Sequence, residues 1–132
     1  MSEIQITEKE VDSIILEKIK WHLDEVKVDE EQFLDLLKHS LSLNTQEKKR
    51  VVDAVPTLSQ FQFDELTKVF TEERAKFREL AKDHPDDIKK LVKKQRVEWL
   101  QLGDIYKSED EAKKKEEEAK KKEEEIKKSL GL

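Results

Sequence analysis

Cysteine is absent from the 132 residues. That excludes disulfides, thiolate-held metals and a cysteine nucleophile. Glycine and proline occur only twice each. Sandwiches and barrels need turn residues every several positions, so an all-β fold is disfavoured. With glycine only at Gly103 and Gly131, neither a glycine-rich phosphate loop nor a Gly-x-Ser-x-Gly elbow can be built. No apolar run approaches the ~20 residues of a membrane-spanning helix. The start, Met1-Ser2-Glu3-Ile4-Gln5, has neither the basic nor the apolar stretch of a secretion signal. The expectation is a cytoplasmic chain without membrane attachment.

Charge is what the chain has in plenty. Charged residues make up 45% and hydrophobic residues 35%, and the dominant Lys and Glu are good helix formers. The formal net charge is −5. It is concentrated in residues 1–40, which hold 11 acidic and 5 basic side chains. This balance argues against a non-specific nucleic-acid binder, though not against a local basic patch.

Apolar spacing then gives an all-α chain. Thr7 and Glu10 have capping-box spacing. Behind them Val11, Ile14, Ile15, Ile19, Leu23 and Val26 recur at helical steps, and Leu16 and Trp21 widen the arc beyond the ~100° of an ordinary surface helix. Such a helix sits centrally or pairs with a second surface. Asp29 with Gln32 opens a second helix carrying Phe33, Leu34, Leu37 and Leu41. Asn44 or Thr45 opens a third, which Pro56 ends, because the residue before proline avoids the α region. Thr57 with Gln60 opens a fourth carrying Phe63, Leu66, Phe70, Phe77 and Leu80. His84-Pro85 starts a fifth, with Ile88, Leu91, Val92, Trp99 and Leu102 on one face and Gly103 as its C-cap.

The remainder is a different material. Ser108 and Glu111 repeat the capping spacing, and blocks of three lysines and three glutamates follow. Read as a helix, these blocks place Glu116→Lys120, Glu117→Lys121, Glu118→Lys122, Glu123→Lys127 and Glu124→Lys128 at i,i+4, each pair worth about 0.2–0.5 kcal/mol. The segment resembles the solvated single helices of many unrelated proteins and acts as a semi-rigid spacer. A heptad seam of Ile105, Ala112, Ala119 and Ile126 is too polar to bury much. The expected organisation is a flexible N-terminus over 1–5, a compact bundle of about five helices over 6–103, a hinge over 104–107, and a protruding charged helix over 108–132.

No catalytic constellation stands out. His22, His39 and His84 fall on separate elements, and the residues three before them, Ile19, Leu36 and Ala81, do not make the Glu-x-x-His pairs of a di-iron bundle. No metal or other cofactor is expected. His22 reads as a core or interface imidazole. Lys89, Lys93 and Arg96 share a helix face flanked by Lys90 and Lys94, a solvated face or a short anion-binding stripe. Val97 and Leu100 are apolar among these lysines and mark contact with a second surface, a partner or the chain itself. Ile15, Trp21 and His22, on the wide arc of the first helix, are the candidates for self-association as a homodimer. Together these features point to a non-catalytic protein-interaction or adaptor module with a helical spacer. A nucleic-acid-associated protein and a self-associating structural subunit are the alternatives.

Overall fold

The computed structural model describes residues 6–132; the expected flexible segment 1–5 lies outside them. Five α-helices follow one another: α1 (Glu8–Ile19), α2 (Glu30–Lys38), α3 (Thr45–Ala54), α4 (Gln60–Asp83) and α5 (Pro85–Ser129), with a 3₁₀ turn at Val55–Thr57. No strand occurs among the described residues. The chain is an all-α bundle whose last helix is far longer than the rest.

The starts are set by side chains that satisfy free amides. Thr7 Oγ1 accepts from Glu10 N at 3.2 Å, and Asp29 Oδ1 from Gln32 N at 3.1 Å. Asn44 and Glu47 close a full capping box. For α4 the box is formed by Ser59 and Gln62, not by Thr57 and Gln60. Pro56 sits in the 3₁₀ turn, and within it the Thr57 hydroxyl donates to Ala54 O at 2.8 Å. That hydroxyl is therefore unavailable as a cap.

Helix α1 is shorter than its apolar pattern. It ends at Ile19, and Trp21 and His22 donate backbone N–H groups to Lys18 O and Ile19 O in tight i,i+3 turns. Val26 still enters the core, but from a loop. The buried face of α1 is the single stripe Val11, Ile15 and Ile19. The helix packs on α5, α2 and α3, so it is central without being apolar all round.

The largest departure is at Gly103. It does not cap a helix, and residues 104–107 are not a hinge: α5 runs unbroken through both. Gly103 is buried where α5 meets α1. A Cβ there would fall inside the van der Waals shell of Val11 Cγ2, and 3.1 Å from Val11 Cβ and Ile6 Cδ1. The glycine is required by a close approach of helices, and tertiary packing supports the helix through a residue that disfavours it. Tyr106, inside the expected hinge, is fully packed and donates to Asp53 Oδ1 at 2.6 Å. Ser108 and Glu111 lie inside the helix.

Beyond Tyr106 every residue is exposed. Three ion pairs tie the first turn of this arm to the bundle: Lys18–Asp110, Lys49–Glu109 and Lys107–Glu10. None of the five i,i+4 Glu–Lys pairs of the arm closes within 4 Å among the described residues, as befits long, solvated side chains whose pairing is averaged over rotamers. With 45 residues, α5 is about 67 Å long at 1.5 Å per residue.

Replacing Gly103 by Ala sets helix propensity against packing. Propensity favours Ala by about 1 kcal/mol, whereas overpacking against stiff, β-branched Val11 costs about 1–3 kcal/mol. A net loss of stability is expected in urea denaturation. An increase would show that α1 and α5 separate easily at this point.

Candidate functional site

The arrangement of the helices leaves one end of the bundle open. α4 and α5 form an antiparallel hairpin turning at His84-Pro85; α2 packs on α4, α1 and α3 pack on α5, and the hairpin's inner faces carry apolar residues on toward the turn. Between this hairpin and the C-terminal end of α2 lies a groove of about 470 Å³, within the range of ligand sites. Leu36, Phe70, Phe77, Ile88 and Val92 line it. Along α4 its apolar residues become less buried toward the turn, from Phe70 in the core to half-buried Phe77; on α5, Ile88 is half-buried and Val92 is 38% exposed. Leu80, on the same hairpin, is 47% exposed.

Polar groups fix the groove's rim. Arg74 bonds the Asp35 carboxylate at 3.0 Å and the Asp35 carbonyl at 3.1 Å, and His39 Nδ1 lies 3.0 Å from the same carboxylate. Burial works to raise the Asp35 pKa, but Arg74 and His39 together outweigh it and hold the carboxyl below its ordinary value. Glu73 accepts from the Ser40 hydroxyl and from the N–H groups of Leu41 and Ser42 at 3.0 Å each. It thereby fixes the loop that leaves α2. Gln95 is 8% exposed and lines the groove. No hydrogen bond joins its side chain to another described residue, and no side-chain polar atom is sealed away unpaired, so its amide opens to the groove.

The sequence does not single out this groove. The signal was present in Phe77, Leu80, Ile88 and Val92, an apolar stripe on both arms of a hairpin. That stripe looks the same whether or not a further helix covers it.

The residues marked in the sequence are dispersed. Ile15 is completely buried in the chain's own core, which removes it from any self-association seam. Trp21 is 73% exposed. His22 is half-buried, edge-on to Phe63, with Nδ1 2.9 Å from Leu23 O and Nε2 3.5 Å from Glu30. Leu100 packs against the core, whereas Val97 is 52% exposed beside Thr45, Lys94 and Gln101. The two do not form one patch. Lys89, Lys93 and Arg96 are all exposed. Each follows a groove-lining residue (Ile88, Val92 or Gln95) by one position, so they form the adjoining shoulder of α5. Among the described residues no group of three or more metal-ligating side chains is placed to hold an ion.

Lys48, which the sequence does not distinguish from Lys49 beside it, is a further buried group. It is fully buried, donates from Nζ to Lys38 O at 2.9 Å, and lies 5.9 Å from the Trp99 ring. Burial pushes its pKa down to about 8, against the pull of Glu98 and Glu73. Its side chain links α3, the end of α2 and α5 beside the groove.

Lys48 binds its proton less tightly folded than unfolded. Its burial therefore weakens the fold below about pH 8, and stability recovers as pH rises from there toward the ordinary lysine value. A gain of about 2 kcal/mol between about pH 7.5 and 9.5 follows from this shift. Urea midpoints across that range should rise for the native chain and stay flat for Lys48→Met. Parallel curves for the two would show that Lys48 does not control this dependence. Comparison with protein-family models, curated proteins and solved structures gave no match.

Proposed function

We propose that this chain is a non-catalytic helical protein-interaction module, an adaptor in which α5 both lines a docking groove and continues as a charged spacer. The observation that carries the reading is the open apolar groove at the α4–α5 hairpin, with Phe77, Ile88 and Val92 left partly uncovered. Apolar surface rimmed by polar side chains is favourable to cover. The continuity of α5 supports the spacer role. Val92 and Ser129 lie on one helix, about 55 Å apart along its axis, so whatever fills the groove is held at a set distance from the end of the arm. An alternative reading, association with nucleic acid, draws on the exposed shoulder Lys89, Lys93 and Arg96. It leaves the apolar groove beside that shoulder without a role.

The docking reading is tested by placing a photo-crosslinking p-benzoylphenylalanine at Val92, and at Lys90 on another face of the same helix. In extract from the source cells, discrete covalent adducts are expected from position 92 and not from 90. Equal labelling from both positions, or none from 92, would defeat it. The spacer reading is tested with nitroxides on Ser108→Cys and Ser129→Cys, a clean pair in a chain without cysteine. A narrow distance distribution near 32 Å, at about 1.5 Å per residue, is expected. A broad distribution would show that the arm does not hold its length.

A further inference from the structure

The chemistry of the groove narrows what it can hold; this step rests on the docking reading above. The two acids that line it are already engaged, Asp35 by Arg74 and Glu73 by the Ser40–Ser42 turn. Other ion pairs closed along the hairpin are Lys82–Glu79 and Lys94–Glu98, and His84 Nδ1 lies 3.9 Å from Asp87. Asp86 and Asp87 occupy the first turn of α5, where the helix dipole favours negative charge. Arg96 lies near enough to Glu8 to help Lys38 hold that carboxyl below its ordinary value. Several cations of the hairpin close no ion pair within 4 Å among the described residues; those bordering the groove are Arg78 on the α4 wall, and Lys89, Lys93 and Arg96 on the α5 shoulder. An apolar floor is thus flanked by unmatched positive charge on both sides.

The walls are helices, and no strand edge is available among the described residues to template an extended peptide. The ridges of α4 and α5 instead offer a seat for one more helix. Gln95 adds an unbonded amide in the wall, able to donate to or accept from a polar group of the occupant. Nucleic acid would match the cations but would leave the aliphatic floor uncovered.

We infer that the groove binds an acidic amphipathic helix of a partner protein, with apolar side chains at i, i+3 or i+4, and i+7 on the floor, and carboxylates facing Arg78, Lys89 and Lys93. The contact is of the helix-in-groove kind, and the charges set its orientation and its preference among partners more than its strength.

The test uses the full chain and three fluorescent probes. One is a designed helix of about 18 residues with leucines on one face and glutamates on the other. The second has lysine in place of each glutamate, and the third is duplex DNA. The acidic helix is expected to bind about tenfold or more tighter than the basic one at low salt, and to weaken as salt rises. Arg78→Glu should cut its affinity about tenfold, and Val92→Asp should abolish it. Both positions are exposed, and circular dichroism of each variant confirms that the fold is retained. Equal binding of the two helices, or an acidic-helix affinity unmoved by Arg78→Glu, overturns the inference. Binding of DNA but of neither helix, lost on Lys89→Glu/Lys93→Glu, overturns it in favour of nucleic acid. A doubled solution mass that Val92→Asp returns to monomer overturns it in favour of a second copy. Discrete groove adducts from position 92 without any preference for the acidic helix overturn it while leaving the docking reading intact.

Discussion

Where α5 crosses α1, Gly103 lets the two helices approach until Val11 and Ile6 lie against bare backbone. The rest of the packing follows from that contact. A turn upstream, Trp99 is fully buried and donates its indole N–H to Asp12 Oδ1 at 2.9 Å. A turn downstream, Tyr106 is buried and bonds Asp53 on α3. Burial raises the tyrosine pKa, and the Asp53 carboxylate raises it further, so the hydroxyl stays a donor. At Asp53, burial acts to raise the pKa but is outweighed by Lys49 and by Tyr106 itself. Both partners are thus held in the protonation states that make the bond, which is of the stronger, charge-assisted kind.

With α5 fixed at those three positions, its ends are free for other uses. The N-terminal turns pair with α4 and, with the end of α2, form the groove, and the C-terminal turns leave the bundle altogether. Because one helix makes both, the groove and the arm are mechanically one piece. A break at 104–107 would have made them independent.

The bundle also takes on a cost next to the groove. Lys48 is buried with a single hydrogen bond, to the carbonyl at the end of α2. Lys38 on the same helix end is in the opposite situation. Burial pulls its pKa down, but Glu8 and Asp12 outweigh this and hold it above the ordinary lysine value. The two lysines secure the end of α2 to α3 and to α1, and with Glu73 they fix the loop that borders the groove.

The sequence by itself determined the all-α fold and the order of the helices, the N-caps of α1, α2 and α3, and the burial of Trp99. These depend on short-range spacing and on local hydrogen bonds, such as those of Asn44 with Glu47, that need no knowledge of the rest of the chain. It also marked the Lys/Glu arm, whose composition favours a helix without a core. Only the tertiary structure decided the role of Gly103. A glycine after an apolar stripe looks like a C-cap until the neighbour that needs its missing Cβ is known, and that neighbour, Val11, is distant in sequence. The same holds for Val97 and Leu100, which look equivalent on a helical wheel but separate because other helices cover only Leu100's side. The groove belongs here too: an apolar stripe reports that surface is favourable to bury, and only the placement of all the helices shows which part of it the chain leaves open.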